Sequence, residues 1–301
     1  MTSCYSYILY LSHFETTQTT AQTRQPDLVY YAEIKASIEY GVALSTYTTY
    51  NGFTDGVPVS GTFRPAYRQG ICRNFKGKPA VILLFMDDYE SGWTADEVEA
   101  FTKKSVMPAL GFLNREATLW GVELDFCVES YSTPLSGYIM DYLGVYPTVS
   151  SEAVKKDGLL HAAESLGFRS EWEFYSYFQS QYPTDDIIFV TIYNKEGRSF
   201  ATRYVNAGYN YNVEYCTIYA KSSNPAQTVA HEILHLFGAR DFYEEATTKE
   251  MSELAGSVYP DDIMFHTLPK WENHIRDYTA YAIGWTHEIP DVCYLDDWYV
   301  D

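Results

Sequence analysis

The sequence contains no apolar run that approaches the roughly 20 residues of a membrane-spanning helix. Near its start it has only a short apolar patch, Tyr7 to Leu11, with no basic residue before it, which is not typical of a secretory signal. The lack of a membrane-spanning run and of a secretory signal predicts a protein that is not inserted in a membrane. The same absences favour a cytoplasmic location, or a secreted one if a leader has been removed.

Basic residues are also scarce, because 21 Lys and Arg stand against 40 Asp and Glu, for a net charge of −19. That charge argues against nucleic acid and anionic lipid as partners. The five cysteines are scattered, odd in number and without a CxxC pair. This usage favours a reducing compartment over a disulfide framework.

What the sequence does have is the material for a large core, since 46% of its 301 residues are hydrophobic and 17% are aromatic. Residues 28–50 are rich in Tyr, Val, Thr and Ile and predict strands, and the Gly and Pro residues of 51–79 predict turns with short strands, so that residues 1–77 predict a β-rich N-terminal extension. Residues 78–301 predict one mixed α/β domain, with a helical insert at about 131–183. Strands are predicted at 80–86, 122–128, 186–193, 198–205 and 213–220, and helices at 94–120 (with a kink at Pro108), 151–167, 170–180 and 224–237. This order is α/β, with helices packed on a twisted sheet.

The last of these helices has clear ends. Asn224 stands at the N-cap position, and Pro225 suits the first turn. Apolar residues recur at the i, i+3, i+4 spacing as far as Phe237, which predicts one buried stripe. Gly238 then ends the helix, where a left-handed residue is favoured.

Two histidines lie one turn apart on this helix, in the stretch HEILHLFGARD. His231 and His235 point away from the apolar stripe, so both imidazoles can bind one metal ion. Glu232 is adjacent to the first histidine and can reach a metal-bound water without being a ligand itself. The pattern therefore predicts two zinc ligands and a general base.

A catalytic zinc ion takes three protein ligands. Because Gly238 lets the chain turn sharply, the carboxylate of Asp241, six residues after His235, is the favoured third ligand. If a later helix supplies the ligand instead, the candidates are Glu244, Glu245, Glu250 and Glu253.

His231, Glu232, His235, Gly238 and Asp241 together resemble the signature of the metzincin metallopeptidases, HExxHxxGxx followed by a third ligand. The chain is similar to the minority form that ends in Asp, as in the snapalysin-type enzymes. The resemblance implies one catalytic Zn²⁺ and a metzincin-like α+β fold. In that fold, a twisted mixed sheet and an active-site helix precede a C-terminal helical subdomain.

Metzincins also place a methionine in a tight turn beneath the metal, and Met264 in YPDDIMFH fits this Met-turn. A final helix at about Ile275 to Trp285 then corresponds to the C-terminal helix of the family. Several metzincins have a tyrosine two residues after that methionine, where this sequence has His266, a candidate hydrogen-bond donor to the reaction intermediate. Residues 1–77 match no part of the family; if they were a propeptide, Cys72 would be the candidate switch residue.

The resemblance implies a monomeric zinc endopeptidase that hydrolyses peptide bonds through a metal-activated water, with Glu232 taking and returning the proton. A peptide or protein substrate would pair with an exposed edge strand, for which Arg198 to Val205 is the candidate. The alternative is a catalytically silent zinc-containing binding protein on the same scaffold. A hydrolase of non-peptide bonds is a third possibility. The presence of Glu232 favours the enzyme, because a structural zinc site needs no base.

Overall fold

The computed structural model describes residues 70–88, 91–132, 141–142, 152–182, 186–202, 213–243, 246 and 249–288. The side chains of residues 132, 141–142, 152–157, 250 and 251 are not described. The predicted strands within 28–50 lie outside these ranges. Every helix within them is too short or too polar to span a membrane.

A mixed, mostly parallel sheet forms the centre of the fold. Its strands are β1 (Ala80–Asp88), β2 (Cys127–Ser132), β3 (Asp141–Tyr142), β4 (Ile187–Tyr193), β5 (Phe200–Thr202) and β6 (Tyr215–Tyr219). The main order is β2-β1-β4-β6-β5, and β3 pairs with the end of β1. Within this sheet β5 is an antiparallel edge strand, whereas β1 and β4 lie inside it and are apolar and buried on both faces. The predicted α/β class with a twisted mixed sheet is confirmed.

The second strand begins later than the sequence predicts. The alternation at 122–128 favoured a strand there, but β2 covers Cys127–Ser132, and Leu124 forms only an isolated bridge. Pro79 explains the break, because it has no N–H to donate to a continuous ladder. Its carbonyl accepts from the N–H of Cys127 at 3.1 Å, and regular pairing starts there.

Seven α-helices lie within the described residues: α1 (Ala95–Phe101), α2 (Met107–Leu119), α3 (Glu152–Ser165), α4 (Glu171–Gln181), α5 (Pro225–Leu236), α6 (Lys249–Val258) and α7 (Asp277–Ala282). Both helices predicted in the insert are present, within two residues of their predicted ends. The final helix is shorter than predicted. Gly284, with φ 81°, turns the chain out of the helix just after Ile283.

The predicted irregularity at Pro108 is present as a π-helical turn. α1 begins at a capping box formed by Thr94 and Glu97, as the sequence indicates. Residues Thr102–Val106 then form the π turn, and α2 follows with Pro108 in its first turn. The wider turn accommodates a proline ring that would clash with the carbonyl four residues earlier in a regular helix.

Residues 70–77 share the core of the domain that follows them. The ring of Phe75 stacks on Phe237 with centroids 4.2 Å apart and on Trp285 with centroids 5.5 Å apart. The indole N–H of Trp285 donates to the carbonyl of Phe75 at 2.6 Å. Cys72 is fully buried, and its thiol donates to the carbonyl of Ile187 in β4 at 3.6 Å. The domain boundary at residue 77 stays a prediction. Residues 70–77 pack against the C-terminal end of α5.

Candidate metal centre

α5 begins where the sequence predicts, but it is not capped as predicted. Asn224 occupies the N-cap position with a left-handed backbone (φ 51°, ψ 51°), and its side chain makes no capping hydrogen bond. Its amide donates instead to the carbonyl of Thr267 at 3.1 Å. This contact ties the start of α5 to a segment 43 residues later, which no local pattern could predict.

The other end of α5 is a Schellman motif around Gly238, whose φ is 106°. The N–H of Gly238 donates to the carbonyl of His235, and the N–H of Ala239 donates to the carbonyl of Leu234, both at 3.1 Å. The predicted helix stop is therefore present. The motif also turns the chain back toward the helix, so that Ala239 and Asp241 approach the histidines.

The histidine face of α5 is buried as well as the apolar stripe. The exposed fractions of His231, Glu232 and His235 are only 8%, 5% and 7%. The sequence predicted one buried stripe, but the second face is covered by the turn around Met264 and by the chain at Asp241. Polar side chains at this depth need hydrogen-bonding or ionic partners.

Backbone carbonyls fix the orientation of both imidazoles. His231 Nδ1 lies 2.9 Å from the carbonyl oxygen of Ile263, and His235 Nδ1 lies 2.8 Å from that of Ala239. Because a carbonyl only accepts, each Nδ1 carries the proton that it donates, and each Nε2 is left to act as a ligand. The two Nε2 atoms are 3.2 Å apart, with the rings nearly perpendicular at 89°.

Asp241 completes a cluster of three metal-ligating atoms. Its Oδ1 lies 3.0 Å from Nε2 of His231 and 3.2 Å from Nε2 of His235. A tetrahedral zinc ion with bonds of about 2.0 Å would set its ligand atoms roughly 3.3 Å apart. The observed separations fit that requirement. Two imidazoles also suit zinc better than Ca²⁺ or Mg²⁺, which prefer oxygen ligands.

Of the candidates that the sequence offers for the third ligand, the structure places Asp241 beside the two histidines. Among the described residues, the group with the spacing of a metal site is His231, His235 and Asp241. Glu253 is an exposed residue of α6. Glu244, Glu245 and the side chain of Glu250 lie outside the described residues.

Charges within the cluster are strongly coupled. Burial would raise the pKa of Asp241, but the two imidazoles hold it well below its usual range. Burial would lower the pKa of His231, but its hydrogen bond to Asp241 and the nearby carboxylate charges raise it to about 9. The cluster therefore attracts positive charge, and a metal cation entering it would replace a proton.

Glu232 is buried beside this cluster. Burial raises the pKa of its carboxyl group, although the imidazoles of His231 and His235 and the guanidinium of Arg198 act in the opposite direction. A carboxyl group with a raised pKa binds a proton more readily near neutral pH than an exposed one does, as a general base requires.

Met264 lies in a tight turn, and its place beneath a metal ion stays a prediction. The N–H of Phe265 donates to the carbonyl of Asp262 at 3.0 Å, which closes the turn, and the side chain of Met264 is fully buried. The turn is joined to the cluster, because the carbonyl of Ile263 accepts from His231. It also holds the chain beyond Asp241, since the N–H of Phe242 donates to the carbonyl of Met264 at 3.1 Å.

His266 is exposed, and its ring lies against Phe265 with centroids 4.0 Å apart. Its backbone carbonyl accepts from the side-chain amide of Asn273 at 2.6 Å. A hydrogen bond from His266 to a reaction intermediate stays a prediction.

Sequence reasoning missed Asp262, which organises the turn. Its Oδ1 accepts from the N–H of Met264 at 2.8 Å and its Oδ2 accepts from the N–H of Arg276 at 2.9 Å. Burial raises the pKa of Asp262 to about 6. The available signal was an aspartate two residues before the methionine, the spacing of an Asx turn.

We expect Asp262→Ala to lower the free energy of unfolding by about 2–5 kcal/mol, because two backbone N–H groups lose their acceptor. Asp261→Ala is the matched control: its carboxylate pairs with the partly exposed guanidinium of Arg276, and its loss should cost less than about 1 kcal/mol. Urea unfolding measures both. Equal losses for the two variants would contradict the role given to Asp262.

Sequence reasoning also missed Arg198 and Tyr243. Arg198 Nη2 donates to the hydroxyl of Tyr243 at 3.1 Å, and burial together with the nearby charge of Asp241 raises the pKa of Tyr243 to about 12. No residue spacing in the sequence links Arg198 to a tyrosine 45 residues later.

No protein-family model matches the chain, and no curated protein matches it either. Among solved structures, it is similar to metalloproteinase-II from Bacteroides fragilis, at 13% identity and a TM-score of 0.36. The similarity covers 70% of this chain and 53% of that one, so the chain spans about half the length of its neighbour. A likeness this weak assigns no activity, and the functional argument therefore rests on the geometry of the cluster.

Proposed function

We propose that the protein is a zinc-dependent endopeptidase with His231, His235 and Asp241 as zinc ligands. The observation that carries the proposal is the convergence of two imidazole nitrogens and one carboxylate oxygen, 3.0–3.2 Å from one another, beside the buried Glu232. Three protein ligands are the number typical of catalytic zinc sites, whereas structural sites usually have four.

When bound, Zn²⁺ would supply Lewis acidity toward a carbonyl oxygen and would lower the pKa of a water molecule. Glu232 would accept the proton of that water and later deliver it to the leaving amine. The carbonyls of Ile263 and Ala239 would keep both imidazoles in the tautomer that presents Nε2. Burial of His231, Glu232 and His235 would limit the access of bulk water.

The edge of the sheet would take the substrate. β5 is antiparallel to β6 and lies against α5, the helix that carries the two histidines. An extended peptide can add to such an edge through main-chain hydrogen bonds. The sequence analysis predicted this role for 198–205, of which β5 is the described strand.

The rival function is a silent zinc-binding protein. Burying a carboxyl group costs free energy, and a site that only holds a metal gains nothing from Glu232. Its position next to His231 therefore favours the peptidase.

Incubation of the purified protein with casein tests the proposal. We expect cleavage that is lost when a chelator removes the metal and that returns on addition of stoichiometric Zn²⁺. A protein that contains one zinc ion per chain, yet leaves casein and a mixture of unstructured peptides intact, would establish the silent binder instead.

A further inference from the structure

We propose that Arg198 is a specificity-determining residue, which selects peptides that carry an acidic side chain close to the bond to be cut. This role rests on the proposed function, because it names the substrate class of the same site. The signature HExxHxxGxxD does not specify that class, and Arg198 lies outside it.

Arg198 lies where two parts of the site meet. It precedes β5, the edge strand to which an extended substrate would add, and its Nη2 donates to the hydroxyl of Tyr243 at 3.1 Å. Tyr243 follows the candidate ligand Asp241 by two residues, so their Cα atoms are at most about 7 Å apart. The guanidinium is therefore held between the proposed substrate edge and the loop that carries the third ligand.

The backbone on either side of Arg198 is fixed against β6. The hydroxyl oxygen of Ser199 accepts from the N–H of Tyr219 at 3.1 Å, and regular pairing with β6 starts at Phe200. On the other side, a Cβ atom at Gly197 would meet the ring of Tyr219 at 2.5 Å, so the missing side chain lets the backbone pass close to that ring. Arg198 thus projects from an anchored segment, which gives its side chain a defined origin.

Tyr243 is anchored independently, through the residue before it. Phe242 is fully buried, and its N–H donates to the carbonyl of Met264 at 3.1 Å. The Cζ atom of Arg198 lies 6.0 Å from the centroid of the Tyr243 ring, which is at the edge of the range of a cation–π contact. The guanidinium is therefore held at one end by a phenol whose backbone is fixed.

The guanidinium keeps most of its capacity to bind an anion. Within the part of the chain that the structure describes, its hydrogen bond goes to a neutral phenol, and no carboxylate lies within the distance of an ion pair. A guanidinium has five N–H donors, and Arg198 is exposed. A carboxylate of the substrate can therefore accept two parallel N–H donors from it, the geometry in which arginine binds carboxylates most strongly.

The negative charge of the surroundings restricts this preference to one substrate position. The chain carries a net charge of −19, and Glu232 and Asp241 add negative charge at the site itself. Such a field disfavours an acidic peptide except where a cation is fixed. Because an extended peptide advances about 3.4 Å per residue, the favoured position should lie within about three residues of the scissile bond.

A different role for Arg198 is to offset the charges of Glu232 and Asp241 without contacting the substrate. The two roles predict different measurements. Charge compensation alters kcat/KM to a similar extent for acidic, neutral and basic peptides. A specificity-determining residue alters the ratio between the acidic peptide and the others.

The test uses internally quenched peptides based on one unstructured segment of casein, in which Glu, Gln or Lys stands in turn at each position. We expect kcat/KM to be roughly 10-fold higher for Glu than for Gln at one position. Arg198→Gln should bring that ratio close to one, and Arg198→Glu should reverse the preference in favour of Lys. Because Arg198 is exposed, both variants should fold as the unmodified protein does.

Arg169→Gln is the matched control, because it removes another exposed arginine, from the turn between α3 and α4. It should keep the ratio of the unmodified protein. Equal kcat/KM for the Glu and Gln peptides at every position, or a preference that Arg198→Gln leaves in place, would overturn the role of Arg198. A change that is uniform across all peptides would assign Arg198 to charge compensation instead.

A binding measurement separates this outcome from that of the casein assay. With the Zn²⁺-loaded Glu232→Gln protein, fluorescence anisotropy gives the Kd of the same peptides without cleavage. The Glu peptide should bind roughly 10-fold more tightly than the Gln peptide, and adding Arg198→Gln should remove the difference. If the unmodified protein cleaves nothing, this difference would still support the anion-binding role while the peptidase proposal fails, and equal Kd values would overturn that role as well.

Discussion

Replacing Glu232 with Gln is expected to lower kcat/KM for peptide hydrolysis by about 10²–10⁴-fold, the usual contribution of a general base. The substitution keeps the volume of a side chain that is 5% exposed, so the packing of α5 should be preserved. It removes only the carboxylate that would accept a proton. Cleavage of an internally quenched peptide measures the change, and the zinc content should stay at one ion per chain.

Glu214→Gln is the appropriate control for this experiment. Glu214, just before β6, is also buried, and Oε2 of its carboxylate accepts from the N–H groups of Ile71 and Cys72 rather than from a group of α5. Because both donors share Oε2, the carbonyl oxygen of a glutamine at that position can still accept from both, and activity should persist. If Glu232→Gln retained more than about a tenth of the activity, proton transfer by Glu232 would be excluded as a main contribution.

Asp241→Ala is expected to weaken zinc binding by more than about 100-fold, beyond the range for groups that only orient a ligand. The variant loses the oxygen that lies 3.0 and 3.2 Å from the two Nε2 atoms. Hydrolysis should fall with zinc occupancy. Equilibrium dialysis against buffered Zn²⁺ measures the affinity directly.

Glu253→Ala serves as the control for the third ligand, because the sequence alone leaves Glu253 open as an alternative. It is exposed on α6, where it pairs with Lys249 at 3.8 Å. We expect no change in zinc affinity. A loss in Glu253→Ala that matched the loss in Asp241→Ala would move the third ligand to α6.

Local patterns predicted the parts of the site that lie close together in sequence. Gly238 ends α5 as expected, and His231, His235 and Asp241 converge because a helical turn and a Schellman motif suffice to bring them together. β1 and β4 were recognisable because strands that are buried on both faces are continuously apolar.

Contacts between distant segments were beyond sequence reasoning. The amide of Asn224 bonds to Thr267 rather than capping α5. Asp262 and Arg198 carry no periodic signal, since each acts through a partner that the fold brings near. The start of β2 was predicted too early because residues 122–128 alternate as a strand does. Its later start depends on the missing N–H of Pro79, which lies in the segment before β1 and so cannot be read from residues 122–128 themselves.

The hydrogen bond between His231 and the carbonyl of Ile263 closes a longer loop, at a higher cost in entropy, than the loop that joins the three candidate ligands. The three candidate ligands fall within residues 231–241, so bringing them together closes only a short loop. The bond to Ile263 instead spans 32 residues and must wait until the chain has returned to α5. The three candidate ligands can therefore come together before the domain is complete, but His231 acquires its final tautomer and direction only when the Met264 turn docks.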